Sequence, residues 1–156
     1  MSPAIKPDLA QAAGFAPPGL FEIQPAERFA LVDRFYRAQG YKVKCASQER
    51  VYTQGIEGEG LVAAARLVPQ ASGHYWLRNL LVKETWRGQG VAKTLMRQLL
   101  FDIAPKGCYC FALPHLKSFY EDLGFILDPA DCPADIAVRF HIYRTRGRDW
   151  LLMGYQ

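Results

Sequence analysis

Six consecutive residues, Arg87-Gly88-Gln89-Gly90-Val91-Ala92, carry the densest chemical signal in the chain. They stand between an apolar run that reads as a strand and an apolar-periodic run that reads as a helix. Glycines at such a turn let backbone N–H groups face outward with no Cβ blocking approach. The helix N-terminus adds partial positive charge, and together these favour the oxygens of a phosphate. Two nucleotide fingerprints fail on the same residues. A Walker A loop needs glycine six residues and one residue before its lysine; counted from Lys93-Thr94, those places hold Arg87 and Ala92. A G-x-G-x-x-G dinucleotide turn needs its third glycine where Lys93 stands.

The thiols carry less. Cys108-Tyr109-Cys110 is a C-x-C in an apolar run, which puts both sulfurs on one face of a strand. Neither a C-x-x-C pair nor a His-x3-5-His partner accompanies Cys45, Cys108, Cys110 and Cys132, so no zinc or other metal site is expected. Free or buried thiols are expected instead. No charged n-region followed by an apolar h-region opens the chain, which makes the cytoplasm the expected compartment.

The elements that must position the glycine loop can be read from periodicity. Residues 1–19 hold four prolines and much alanine without a helical or strand period, and read as a tail or an extended arm. Residues 20–156 then read as one domain. A short strand at 21–23 precedes a helix that opens at Pro25 and runs to about Arg37, with Phe29, Val32, Phe35 and Tyr36 as its apolar stripe. Two strands at 50–54 and 61–68 are joined by a loop holding Gly55, Gly58 and Gly60, the mark of a hairpin. Residues 74–82 are apolar on both faces apart from Arg78 and Asn79, as in a central strand covered on both sides. A helix follows over 89–104, with Val91, Leu95, Met96, Leu99 and Ile103 at three- and four-residue steps. The strand 108–113 then implies a parallel partner for 74–82. Pro114 starts a short helix that Gly124 ends. Residues 138–145 alternate apolar and polar and read as a strand, 146–149 as a turn, and 150–155 as a final strand.

Composition bounds the function. With 156 residues, half of them hydrophobic and 22% charged, the chain packs as a globule rather than staying disordered. Its apolar runs, such as 61–65 with five residues, are far short of the roughly 18 a bilayer span needs. A net charge of +4 is too mild for a dedicated nucleic-acid binder and suits an anionic small ligand.

The loop resembles the acyl-CoA loop R/Q-x-x-G-x-G/A of the GNAT superfamily of N-acetyltransferases, with Arg87, Gly90 and Ala92 at its specified places. About thirty residues on, Phe119-Tyr120-Glu121-Asp122-Leu123-Gly124-Phe125 is similar to that family's F-Y-E-x-x-G-F stretch. The resemblance spans roughly residues 20 to 145. It implies an α/β fold of the GNAT type: a central mixed, mostly antiparallel sheet with one parallel, splayed strand pair and flanking helices. It also implies acetyl-CoA as acyl donor, a primary amine as acceptor, and transfer by direct attack through a tetrahedral intermediate. Arg87, Gly88, Gln89, Gly90, Val91 and Ala92 would cradle the CoA pyrophosphate. The backbone of Leu81 and Val82 would pair with the pantetheine amides. Tyr120 stands where the family places the residue that hydrogen-bonds the CoA sulfur.

The general base is where the chain departs from a common family pattern, because residues 74–82 hold no carboxylate. Glu84, two residues past that strand, is carried as the candidate, against the plainer reading of a solvated loop residue. His74 at the strand start, Glu57 and Glu59 in the hairpin loop, and His115 all have ordinary structural or surface readings beside a catalytic one. Arg144, Arg146 and Arg148 cluster near the last turn, either as a solubilising turn or as a contact for an acidic partner or the CoA 3′-phosphate. The rival from a different class is a non-catalytic module that binds acyl-CoA and regulates a partner. A homodimer stays open, with no nucleic acid or membrane expected as partner.

Overall fold

The computed structural model describes residues 20–23 and 29–156. The expectations for the tail at 1–19, and for the opening turn of the first helix at 24–28, lie outside the described residues. The alternating stretch after residue 49 builds β2 (Arg50–Ile56) and β3 (Gly60–Pro69), with β1 (Leu20–Ile23) antiparallel to β2. Next come β4 (Tyr75–Val82), β5 (Cys108–Ala112), the two-residue β6 (Ile126–Leu127) and β7 (Leu151–Tyr155). They form one sheet in the order β1-β2-β3-β4-β5-β7-β6. Every neighbouring pair is antiparallel except β4 and β5. This is the mixed sheet with one parallel pair that the sequence implies.

Period-2 strands send alternate residues to opposite faces, and the packing follows. In β3, Ala63, Ala65 and Leu67 face α2 (Val91–Ile103), whose Leu95, Met96 and Leu99 are fully buried, while Ala64 joins the opposite core. Burial of each such large side chain contributes about 1.5–3 kcal/mol. Cys108 and Cys110 both point into the α2 side, as their C-x-C spacing requires. The short α3 (Lys117–Asp122) lies on the same side, with Tyr120 in that core. The other face is covered by α1 (Phe29–Ala38) through Phe29, Val32, Phe35 and Tyr36.

One element differs from the sequence reading. Residues 138–145 are not a strand but the bulk of α4 (Ala134–Thr145). The apolar residues of this segment satisfy two periods at once. Ile136, Phe140 and Tyr143 recur at four- and three-residue steps and pack together on Trp76 and Phe111. The members that only the alternation would bury stay out: Val138 is 59% exposed and Ile142 42%. Contact with the aromatic sheet face decides for the helix, which tertiary packing regularly does when local patterns conflict. Asp135 in its first turn accepts from the Ser72 N–H at 3.0 Å, tying α4 to the turn before β4.

The feature that shapes the centre of the sheet is a bulge in β4. The β3–β4 register slips between Ala64 and Arg66, and Asn79 sits at φ +54, a conformation asparagine tolerates better than most residues. Tyr36 Oη donates to the Asn79 carbonyl at 2.7 Å, and Arg66 Nη1 donates to Asn79 Oδ1 at 2.7 Å. Arg66 is held in turn by Glu49, Nε to Oε1 at 2.7 Å and Nη2 to Oε2 at 2.8 Å, both side chains under 10% exposed. Glu49 Oε2 also accepts from the Ala46 N–H at 2.9 Å. Removing one member of such a pair strands a buried charge, at about 3–5 kcal/mol. Glu49→Ala is therefore expected to lower the thermal midpoint by roughly 6–20 °C for a chain of this size, checked by calorimetry. A fall below 3 °C would show that Arg66 finds water instead.

Candidate active site

Two cavities adjoin along β4 and α3. The first is formed by the glycine loop. Gly88 and Gly90 take φ of +76° and +78°, and a Cβ built on either meets nothing within 4 Å. Backbone conformation rather than crowding therefore demands glycine there. Gly90 precedes α2, whose first backbone bond runs from the Thr94 N–H to the Gly90 carbonyl at 3.1 Å. The N–H groups of Val91, Ala92 and Lys93 come before that bond and carry the positive end of the helix. They open on a cavity of about 430 Å³ whose walls include Val82, Arg87, Gly88, Ala92 and Phe119. Arg87 closes the loop on its own strand, Nε donating to the Val82 carbonyl at 2.9 Å. Trp86, buried under the loop, donates its indole N–H to Glu59 Oε2 at 2.9 Å, and Lys83 Nζ lies 3.5 Å from the same oxygen.

The second cavity is the gap between the parallel strands. β4 and β5 pair only from Tyr75 opposite Cys108 to Leu77 opposite Cys110, and beyond Leu77 the bulged β4 diverges. The space between them has a volume of about 390 Å³. Leu80, Cys110, Leu116 and Tyr120 line it from the α2–α3 side; Tyr36, Trp76 and Phe111 line it from the α1–α4 side. The gap thus opens on both faces of the sheet.

Tyr120 stands at the join of the two cavities, 5% exposed, between the edges of Phe119 and Phe125. Its side chain shares the strand gap with Cys110. Burial, and then the neighbouring thiols, push the Tyr120 pKa well above its ordinary value, so the phenol keeps its proton. Burial likewise lifts the Cys110 thiol well above the usual range and Cys108 to about 12. Neither is a thiolate at neutral pH.

The other residues singled out from sequence separate clearly. Leu81 lines the strand gap, Val82 and Val91 the loop cavity, and Gln89 lies in the loop without lining either. Glu84 is exposed in a single 3-10 turn (Glu84–Trp86) and lines neither cavity. His74 is at the far end of β4, bonded to Ser72 Oγ at 3.2 Å and edge-on to Tyr109. Glu59 supports the loop through Trp86. His115 is exposed beside α3. Of the basic cluster, Arg148 lines the strand gap and Arg144 a separate surface groove, so neither lies at the glycine loop. Among the described residues no group of His, Cys, Asp and Glu is placed to hold a metal ion, and no helix is long and apolar enough to cross a membrane.

Sequence reasoning missed the residues that build the gap. Asn79, Arg66, Glu49 and Tyr36 come from three strands or loops and one helix, and no spacing rule links them. The interruption Arg78-Asn79 in an otherwise apolar strand was the one available signal.

Comparison with known proteins fits this geometry. Residues 48–127 match the model of the acetyltransferase (GNAT) domain. Compared by sequence with curated proteins, the chain has no match. Among solved structures it is similar to Escherichia coli ElaA, at TM-score 0.55 and 21% identity over 81% of this chain and 86% of that one. It is similar to a putative N-acetyltransferase from Lactobacillus plantarum, at TM-score 0.59 and 17% identity over 88% and 98% of the two chains. It is also similar to Neisseria gonorrhoeae N-acetylglutamate synthase, solved with coenzyme A and N-acetyl-glutamate, at TM-score 0.60 and 14% identity over 86% of this chain but 34% of that one. These likenesses establish the fold, and the domain match, which takes in β2 to β6 with the glycine loop and Tyr120, establishes the family: the chain belongs to the GNAT acetyltransferases.

Proposed function

We propose that the chain transfers an acetyl group from acetyl-CoA to a primary amine by direct attack. The observation that carries this reading is that the two cavities take successive residues of the same elements. Leu80 and Leu81 line the gap and Val82 the loop cavity, while Tyr120 lines the gap and Phe119 the loop cavity. A long ligand with a pyrophosphate at one end and a thioester at the other fits that order. The N–H groups at the start of α2, with Arg87, Gly88 and Gly90 on the cavity wall and Gln89 completing the loop between them, would hold the pyrophosphate. The backbone of Leu81 and Val82, released from β5 by the splay, would meet the pantetheine amides, with the Val82 carbonyl also accepting from Arg87 Nε.

The acetyl carbonyl then sits in the gap, where freed β4 N–H groups polarise it. The amine attacks neutral; at pH 7 a lysine-like amine of pKa about 10.4 loses its proton at a cost of about 4.6 kcal/mol. As the C–N bond forms, the C–S bond breaks, the nitrogen sheds one proton and the sulfur takes one up. Tyr120, kept neutral by burial, stabilises the departing sulfur by a hydrogen bond. A covalent acetyl-cysteine route has no support in Cys110, whose thiol stays protonated.

Four measurements check this. Acetyl-CoA at a hundredfold excess over its dissociation constant stabilises by about 2.7 kcal/mol, which raises the midpoint by roughly 5–10 °C, with ATP and NAD as inert controls. Gly90→Val removes that rise while lowering the unliganded midpoint by only about 2–8 °C for a forced left-handed residue. An unchanged acetyl-CoA affinity would mean that the pyrophosphate lies elsewhere. Tyr120→Phe should cut kcat at least tenfold with little change in acetyl-CoA affinity, while the native enzyme shows no basic rate loss below about pH 10 from this phenol. Equal kcat in the two proteins would return Tyr120 to the core. Glu84→Gln tests the remaining carboxylate: its exposure predicts kcat/KM within about threefold of the parent, whereas a fall near the 100-fold of general-base loss would make Glu84 the base.

A further inference from the structure

The α1–α4 mouth of the gap carries two arginines that nothing in the fold absorbs. Because the β4 bulge places two successive side chains on one face, Arg78 and Asn79 both reach the side where Arg66 stands opposite them. Asn79 is taken by Arg66. Arg78 is not: its guanidinium carbon lies 4.4 Å from the Trp76 ring centre, and among the described residues it has neither a hydrogen bond nor an ion pair. Arg148 repeats the arrangement from the turn after α4, its guanidinium carbon 5.3 Å from the Trp150 ring centre, again with no acceptor for its side chain. Both arginines and both tryptophans line the gap.

A guanidinium held over an indole is positioned but not neutralised. Its N–H fork keeps the geometry that suits a carboxylate in two parallel bonds. Arg78 is half-buried, and burial, together with the neighbouring Arg66 and Arg139 cations, presses its pKa below the ordinary arginine value. An anion beside it relieves the same strain. The nearest carboxylate of the network, Glu49, is already committed to Arg66 on both oxygens. A cationic acceptor such as a polyamine would meet two positive charges at this mouth, and like charges in a partly dry site repel.

We propose that the acceptor is a small amine that also carries a carboxylate, with Arg78 and Arg148 as the residues that hold the carboxylate and so turn the amine toward the thioester. This rests on the acetyl-transfer reading above and narrows its acceptor. The cavity volume of about 390 Å³ is that of a small-molecule site rather than a docking surface. The gap's two faces give each substrate its own entrance: donor along α2 and α3, acceptor between α1 and α4.

The test is a panel of amino acids with one to five carbons between amine and carboxylate, aromatic ones included. Each is compared with its own carboxamide, with spermidine as the polycation. Rates are taken as kcat/KM per neutral amine, and acetyl-CoA binding is measured in the same samples by thermal shift. The expected result is at least one acid acetylated about tenfold better than its amide, with spermidine poorest. Arg78→Gln and Arg148→Gln should each raise the KM for that acid by about tenfold and collapse the acid-to-amide preference. Arg148→Lys restores part of it. Because Arg148 is exposed, its variants test the idea even where Arg78→Gln folds poorly. Equal rates for acids and amides, preference for spermidine, turnover of no acid despite acetyl-CoA binding, or a glutamine variant with unchanged preference would each overturn the proposal. Loss of acetyl-CoA binding by the native protein would instead overturn the acetyl-transfer reading beneath it.

Discussion

The centre of this protein depends on how one asparagine is held out of register. Asn79 leaves the β4 ladder at φ +54, and its carbonyl and its side-chain oxygen are each claimed by a buried donor, Tyr36 Oη and Arg66 Nη1. Once those bonds are made, β4 cannot follow β5 past Leu77, and the sheet opens. Arg66 can be buried only because Glu49 meets it with two bonds, and desolvating such a pair offsets most of its attraction. Its value is therefore geometric. An apolar pair of the same volume would fill the site with equal or greater stability, but it would leave the Asn79 amide without a donor and β4 free to pair straight through.

The opening divides the chemistry by type of recognition. On the proposed reading the donor would be met by backbone: glycines in the left-handed region, the first N–H groups of α2, and the free edge of β4. On the same reading the acceptor would be met by side chains, two arginines on two tryptophans beside buried tyrosines. Phosphate and amide groups are alike from one acyl-CoA to another, so a fixed backbone serves them. Acceptors differ, and side chains can change without disturbing the sheet.

That division also sets what could be read from the sequence. A loop that needs φ near +77° at two places writes itself as glycine, so Gly88 and Gly90 were legible, as were the two cores from their periods. The Phe119–Phe125 stretch was legible for the same reason, because Gly124 at φ +100 ends α3. The α1–α4 side of the gap brings the adjacent pair Arg78-Asn79 together with Tyr36 and Arg148, which lie far off in the sequence, and no local rule connects those three places. Residues 138–145 show the converse failure. Their alternation is real, but Ile136, Phe140 and Tyr143 also share a helical stripe, and the aromatic wall of Trp76 and Phe111 selects that stripe. Nothing within the segment says that such a wall exists.

The sulfur chemistry of the gap follows from the same burial that shapes it. Cys110 lines the gap beside Tyr120, yet desolvation holds its proton. A site that depresses a cysteine pKa needs a cation or a helix N-terminus beside the thiol. Here the helix N-terminus of α2 opens on the other cavity, and the arginines stand across the sheet. On the proposed reading this separation is functional. Positive charge is kept for the pyrophosphate at one end and for the acceptor's carboxylate at the other. Between them the gap is apolar, with a neutral phenol, so that the only nucleophile meeting the thioester is the one the acceptor brings.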